Sequence, residues 1–181
     1  MTTNTSAQLH PAQDINTYID DGFVKVCNIS PASTKSKWIY EDINFPVMYS
    51  EHKSWVYFMV SGDQIVKIGE TGNPLGIRKK KSDQPLTGTR SRLGRYSSFG
   101  TTGTGKDSDT DAYVRESLQG DVPSGKVSVW AKQCLIMNYE LKVAGQNVTA
   151  YGTLHKDLEL RYIDHFVNKS GELPIFNKSR K

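Results

Sequence analysis

The chain has 181 residues, 36% of them hydrophobic, and a formal net charge of +4 at pH 7. This length and composition allow one ordinary domain with a single core, and no apolar run is long enough to cross a bilayer. The N-terminal segment MTTNTSAQLHPAQD lacks the basic start and the apolar centre of a secretory signal, so we expect a cytoplasmic protein without a membrane partner.

Residues 1–50 are polar and weakly patterned, and we interpret them as an N-terminal extension around a domain that occupies 51–181. Within this extension, the segment 19–29 has the composition of a strand, whereas 31–37 is typical of a loop. The regular part of the fold is therefore expected to begin near Trp55.

Two β-rich apolar runs follow each other after this point, WVYFMV at 55–60 and IVKIG at 65–69. The SGDQ segment between them carries a Gly-Asp turn signal, so the pair predicts a β-hairpin. Residues 70–89 are rich in Gly, Pro and Lys, which is typical of a loop. A third strand is predicted within 126–137, KVSVWAKQCLIM, and it runs into a further element.

Three segments have helical patterns: 89–99, 112–118 and 155–171. The last is the clearest, because its apolar residues recur with helical spacing and Gly171 is placed to end it. That apolar stripe consists of Leu158, Tyr162, Ile163 and Phe166. Together the elements predict an α+β fold in which a small antiparallel β-sheet is flanked by helices.

Positive charge is concentrated between residues 78 and 95, and such a stretch can neutralise several phosphates of a nucleic acid. A solvated surface loop is the alternative interpretation. Asp83 is the only acidic residue of the stretch. Its basic residues are Arg78, Lys79, Lys80, Lys81, Arg90, Arg92 and Arg95.

Other patterns in the chain do not meet the requirements of the sites that they suggest. The segment GTTGTGK at 100–106 approaches a phosphate-binding loop, but Asp107 stands where that loop needs a hydroxyl group for magnesium. Cys27 and Cys134 are too few and too far apart for a zinc site or a disulfide framework. The four histidines show no metal-ligand spacing, so none of them is assigned a role.

Five sequence elements stand in the order found in GIY-YIG nucleases, and the chain resembles that family from about residue 54 onward. The elements are the WVY of 55–57, the KIG of 67–69, the SRLGRY of 91–96, Glu159 and Asn177. Two departures from the family pattern occur: Trp55-Val56 replaces Gly-Ile, and Lys67 replaces the second tyrosine, as in some members that resemble restriction enzymes. The resemblance implies a metal-dependent DNA endonuclease.

The resemblance also implies a role for each of these residues in phosphodiester hydrolysis. Tyr57 is the base or the group that orients the attacking water; a free phenol has a pKa near 10, and an ammonium group at Lys67 would favour the phenolate. Arg92 presents a planar guanidinium group to the phosphate. Glu159 is the candidate ligand for Mg²⁺, with Mn²⁺ as a substitute, and Asn177 orients a loop or contacts the region of the scissile phosphate.

Two assignments stay open at this point. Arg78 competes with Arg92, because it lies 21 residues after Tyr57, close to the usual family spacing. We favour Arg92, because Tyr96 follows it by one helical turn, and this choice makes 73–88 an insertion. The alternatives to Glu159 are Asp157, Asp164 and Glu172. The candidate DNA contacts are Arg78, Lys79, Lys80, Arg90, Arg95 and Tyr96.

Three functions are compatible with the resemblance. The first is a standalone nuclease that cuts double-stranded DNA, of the restriction or phage DNA-degradation type. One site per chain then implies a homodimer or homotetramer, because both strands must be cut. The second is a structure-specific or repair-type nuclease that nicks one strand. The third is a DNA-binding module that has lost catalysis, and the intact set of site residues argues against it.

Overall fold

The computed structural model describes residues 14–31, 38–76, 78–79, 82–85, 92–96 and 126–178. Its strands are β1 (Val24–Pro31), β2 (Trp38–Glu41), β3 (Trp55–Ser61), β4 (Gln64–Thr71), β5 (Arg78–Lys79), β6 (Ser82–Pro85), β7 (Val127–Gln133), β8 (Ile136–Val143) and β9 (Gln146–Thr153). Its helices are α1 (Asn16–Ile19), α2 (Phe45–Met48), α3 (Arg92–Tyr96) and α4 (His155–Ser170). Among the described residues, no helix has the length and apolar character of a membrane span.

The centre of the molecule is a five-stranded antiparallel sheet with the order β2-β1-β7-β3-β4. The predicted hairpin is confirmed as β3 and β4, which pair Tyr57 with Gly69 and Met59 with Lys67. Gly62 forms its turn with a φ of 60°, a conformation that glycine adopts without strain. The predicted α+β architecture, an antiparallel sheet with helices, is therefore confirmed.

The N-terminal region contributes to this sheet more than the sequence indicates. Strand β1 lies between β2 and β7 and pairs with both of them. Val26, Cys27 and Ile29 of β1 are buried, because alternation along a central strand turns its side chains toward packed layers. At least the part of residues 1–50 that holds β1 and β2 is thus built into the core rather than wrapped around it.

The two faces of the sheet carry two separate cores, and β3 contributes alternate residues to each. Tyr57 and Met59 belong to one core, together with Leu93 of α3 and Phe176 near the C-terminus. The other core contains the following side chains of β3, β4 and α4: Val56, Phe58, Val60, Ile65, Ile68, Ile163 and Phe166. Helix α4 therefore packs on the sheet face opposite the Tyr57 ring, next to the edge strand β4.

Helix α4 matches the prediction closely. It covers 155–170, and Gly171 ends it in the left-handed conformation with a φ of 83°, as predicted. Its fully buried side chains are His155, Glu159, Ile163 and Phe166. The N-terminal half of the inward face is thus polar, whereas the predicted stripe members Leu158 and Tyr162 lie at its margin and are only partly buried.

The segment after β7, in which the sequence predicted only a further element, forms a separate two-stranded hairpin of β8 and β9. Ala144 and Gly145 connect the strands with φ values of 50° and 84°, and two positive φ values are the mark of a type I′ hairpin turn. Almost every residue of both strands is exposed. The hairpin therefore projects from the body of the protein.

Several predicted elements fall partly or wholly outside the described residues. The predicted helix 89–99 is seen as α3 over 92–96, and the predicted insertion 73–88 contains the short hairpin β5–β6. The predicted helix 112–118 and the loop 100–111 lie outside the described part of the chain.

Candidate active site

Tyr57 lies at the middle of β3 with its side chain fully buried, and its ring passes over Gly69 of the neighbouring edge strand. A Cβ atom added at Gly69 would lie 2.4 Å from both Cζ and the hydroxyl oxygen of Tyr57. Side-chain contacts of this length do not occur, so the glycine of the KIG element is required by the phenol beside it. The glycine thereby fixes where the hydroxyl group stands.

We expect Gly69→Ala to lower the rate of DNA cleavage by about 100-fold, the cost of displacing a reacting group by about 1 Å. The added methyl group has to push the phenol aside, because its nearest neighbours are Tyr57 atoms. Single-turnover cleavage with enzyme in excess measures this effect.

Gly62→Ala is the matched control, because it changes the turn of the same hairpin at a position with no heavy atom within 4 Å. Its positive φ makes alanine cost about 1–2 kcal/mol of stability, yet the phenol is untouched. Equal cleavage rates for the two variants would contradict the positioning role of Gly69.

Arg92 is brought directly to Tyr57. Its Nε donates a hydrogen bond of 2.8 Å to the Tyr57 hydroxyl oxygen, and its guanidinium carbon lies 5.6 Å from the centre of the ring. Helix α3 is held in place by backbone bonds of Arg92 and Leu93 to the loop after β4, and Tyr40 donates to the Leu93 carbonyl. Arg92 is thus an arginine that the structure places at the phenol, whereas the side chain of its competitor Arg78 lies outside the described residues.

Lys67 lies on β4, two residues before Gly69, and therefore projects on the same sheet face as Tyr57. It is 5% exposed, and its Nζ donates to the Phe176 carbonyl oxygen at 3.1 Å. A buried ammonium group is rare unless it is paired. This burial distinguishes Lys67 from the solvent-facing lysine expected of an ordinary sheet edge.

Asn177 holds the C-terminal segment against the edge of β4. Its Oδ1 accepts from the Ile68 amide and its Nδ2 donates to the Ile68 carbonyl, both at 2.9 Å. The Phe176 amide donates to the Val66 carbonyl at 2.8 Å. Asn177 thus completes the backbone pairing of β4, and the adjacent Phe176 carbonyl meets Lys67. Of the roles predicted for Asn177, its bonds match the orientation of a loop.

Glu159 is 4% exposed on the inward face of α4. Helix α4 packs against β4 and β3, and its apolar residues Ile163 and Phe166 belong to the core on the sheet face opposite Tyr57. The sequence alternatives Asp157, Asp164 and Glu172 are all exposed. Glu159 is therefore the carboxylate among the four that faces the protein interior.

The predicted DNA contacts are only partly visible. Arg78 and Lys79 form β5, and Arg95 and Tyr96 end α3, but their side chains are outside the described part of the structure. Lys80 and Arg90 lie outside it entirely. Their role in binding DNA stays a prediction.

His155 is a residue that the sequence did not single out. Its Nδ1 lies 3.2 Å from the Ser54 hydroxyl, and its Nε2 lies 3.3 Å from a carboxylate oxygen of Glu70. Burial lowers the pKa of His155 from its ordinary value, although the nearby Glu70 carboxylate acts in the opposite direction. A helix-face spacing of four residues to Glu159 is the signal that points to it, whereas metal-ligand spacing does not.

The described residues contain no group of three or more His, Cys, Asp or Glu side chains that could enclose a metal ion. Mg²⁺ is commonly held by one or two carboxylates and completes its shell with water and substrate phosphate. A single buried carboxylate at Glu159 fits this mode of binding, whereas it would not fit a zinc site with four protein ligands.

The similarities between this chain and known proteins lie in the structure. No protein-family profile matches the chain, and no curated protein is similar to it in sequence. The solved structures similar to this chain include two that are matched over almost their entire lengths. The restriction endonuclease HPY188I in complex with product DNA has a TM-score of 0.50 and 20% sequence identity, with 99% of this chain and 98% of that chain covered.

A mutant of EndoII from bacteriophage T4 is the second similar structure, with a TM-score of 0.51 and 18% sequence identity. The match covers 91% of this chain and 98% of that chain. Both proteins are nucleases of the GIY-YIG type. The chain therefore has the fold of the GIY-YIG-type nucleases, the family that its motifs resemble.

Proposed function

We propose that this protein is a Mg²⁺-dependent endonuclease that hydrolyses phosphodiester bonds of double-stranded DNA. The observation that carries the proposal is the 2.8 Å hydrogen bond from Arg92 to the Tyr57 hydroxyl, with the phenol held over Gly69. The fold supports it, because the two similar structures are a restriction endonuclease and a phage endonuclease. The expected location is the cytoplasm of a bacterial cell or of a phage-infected host.

Each proposed catalytic residue suits one requirement of the reaction. Tyr57 orients or deprotonates the attacking water, and Lys67 on the same sheet face favours the phenolate form by its charge. The Arg92 guanidinium adjoins the phenol and can bind phosphate oxygens as their charge builds up. Glu159 would hold Mg²⁺, which supplies charge stabilisation to the phosphate when bound.

Incubation of the purified protein with closed circular plasmid and Mg²⁺ tests the proposal, with EDTA as the matched control. Linear fragments with a constant end sequence indicate a restriction-type enzyme, and many short fragments indicate DNA degradation. Open-circular product without linear DNA indicates the nicking alternative. Binding of the plasmid without any cleavage identifies the inactive module and overturns the proposal.

We further propose that the protein acts as a homodimer or homotetramer, and the β8–β9 hairpin is the surface that supports this. One face of the hairpin carries exposed apolar side chains, namely Met137, Tyr139, Leu141, Val143 and Val148. The opposite face is mainly polar. An isolated two-stranded hairpin is marginally stable in water, so we expect its apolar face to be buried against a partner that stabilises it. A second copy offers the same face, as a twofold interface requires.

We expect Leu141→Glu to reduce the molar mass in solution from that of an assembly to that of one chain, because Leu141 is 49% exposed in the middle of the apolar face. Size-exclusion chromatography with light scattering measures this change. Asn138→Glu is the matched control on the opposite face of the same strand and should leave the mass unchanged. A wild-type protein that is already monomeric at micromolar concentrations would refute the proposed assembly.

A further inference from the structure

One imidazole joins three elements of the proposed catalytic centre. His155 begins α4, one helical turn before Glu159 on the inward face of that helix. Its Nδ1 meets Ser54, which lies three residues before Tyr57, and its Nε2 meets Glu70 of β4. The same ring thus contacts β4 and the residue that precedes β3, and it belongs to the helix that carries the carboxylate.

The bonding partners define the orientation of this ring. Because burial lowers the pKa of His155, the ring is neutral in the neutral pH range, with one nitrogen as donor and the other as acceptor. Nδ1 shares a hydrogen bond of 3.2 Å with the Ser54 hydroxyl, and Nε2 lies 3.3 Å from the Glu70 carboxylate, which a ring N–H at this nitrogen would favour. Only 7% of the His155 side chain is exposed, so a rotated ring would leave a buried polar nitrogen without either partner.

Two other buried residues of α4 make contacts of a different kind. Ile163 and Phe166 pack against the apolar face of the sheet further along the helix, and apolar packing carries no direction of its own. At the N-terminal end, Leu154 provides no side-chain cap for the helix. The contacts of His155 with Ser54 and Glu70 are directional and help to fix this end of α4 against the hairpin.

We propose that His155 is a positioning residue that sets the distance between Glu159 and the β3–β4 hairpin carrying Tyr57. The inference rests on the proposed nuclease function, because the distance between Glu159 and the hairpin matters for cleavage only if Glu159 and Tyr57 act in the same reaction. We assign His155 itself no contact with DNA or metal. It acts on the reaction through the placement of Glu159, as residues behind a metal ligand commonly do.

His155→Phe keeps a planar ring of similar size and removes the hydrogen bond with Ser54 and the polar contact with Glu70. We expect it to lower the single-turnover cleavage rate by about 10- to 100-fold, the usual cost of losing a residue that orients a metal ligand. The apparent Kd for duplex DNA in Ca²⁺ should stay unchanged, because the basic segment is not altered. The Mg²⁺ concentration for half-maximal cleavage should rise.

Two further variants separate positioning from simple packing. His155→Gln places an amide nitrogen near the former Nε2, where it can make a polar contact with Glu70, and it should recover part of the rate that His155→Phe loses. Ser54→Ala removes only the hydroxyl partner of Nδ1 at a fully buried position. It should lower the cleavage rate and raise the Mg²⁺ concentration for half-maximal cleavage, both by less than His155→Phe does. Both remain informative if His155→Phe does not fold.

Ile163→Ala is the control for lost stability, because it creates a cavity under the same helix without touching the imidazole. All assays are run well below the Tm of every variant. Ile163→Ala should lower the Tm and keep the wild-type rate and Mg²⁺ dependence. If His155→Phe behaves in the same way as Ile163→Ala, His155 is a packing residue and the inference is overturned.

A second measurement keeps this inference separate from the nuclease activity. Mn²⁺ affinity in the presence of a short DNA duplex, followed by electron paramagnetic resonance, should be weaker in His155→Phe than in wild type. If wild type binds Mn²⁺ but cuts no DNA, the proposed function fails, and the comparison of affinities still decides the role of His155. Equal affinities, or no Mn²⁺ binding by wild type, would overturn the inference.

Discussion

Glu159→Gln is expected to reduce Mg²⁺-dependent DNA cleavage by about a thousandfold or more, because a bound metal contributes several kcal/mol to the stabilisation of the transition state. Glutamine keeps the size of the side chain and one carbonyl oxygen on the inward face of α4, where Glu159 is 4% exposed. It removes the negative charge that a hard divalent cation requires. Single-turnover cleavage over a range of Mg²⁺ concentrations measures the loss, and a melting curve confirms folding.

The matched controls are the exposed carboxylates of the same region. Asp157→Asn and Glu172→Gln change charges close to Glu159 in the sequence but outside the buried face of α4, and both should cleave DNA at nearly the wild-type rate. If Asp157→Asn is inactive while Glu159→Gln remains active, the metal ligand has been assigned to the wrong residue.

Tyr57→Phe should lower the cleavage rate by about 10²- to 10⁴-fold, the range attributed to a positioned acid or base. The ring still packs over Gly69, but the hydroxyl group that accepts from Arg92 is lost. Wild-type cleavage should become faster as the pH rises, because ionisation of the phenol supplies the base, and Tyr57→Phe should lack this increase. A wild-type rate independent of pH between about 6 and 9, with chemistry rate-limiting, would contradict the role of Tyr57 as base.

Tyr18→Phe is the control for removing a buried phenolic hydroxyl elsewhere. Burial raises the pKa of Tyr18 to about 12, and the charge of Asp21 adds to this effect. Tyr18 packs against Phe58 in the other core, away from the Tyr57 face of the sheet. Its replacement should leave the rate and its pH dependence unchanged.

Local patterns were sufficient to predict the elements that are formed by neighbouring residues. The β3–β4 hairpin and α4 each bury a regular set of side chains, so their periodicity is visible in the sequence. The order of motifs also identified Tyr57 and Arg92, which the structure joins by a hydrogen bond. The choice of Arg92 over Arg78 depended on one helical spacing. Arg92 contacts Tyr57, and the side chain of Arg78 lies outside the described residues.

The remaining features depend on partners that are distant in the chain. Strand β1 pairs with β7, about a hundred residues later in the chain, and local sequence patterns do not predict such a pairing. Asn177 bonds to Ile68 across a separation of 109 residues. His155 interrupts the apolar face of α4, and a polar residue there looks like the start of a solvated helix until Ser54 and Glu70 are seen beside it.

The attachment of the C-terminal segment to β4 has a consequence for the solubility of the protein. Strand β4 is the last strand of the sheet, and an open strand of this kind can recruit a strand from another molecule and start aggregation. The Phe176 amide and the Asn177 side chain occupy backbone groups of Val66 and Ile68 that would otherwise be available for such pairing. The C-terminal segment, whose Phe176 carbonyl accepts from Lys67, therefore also blocks the pairing of β4 with a strand of another molecule.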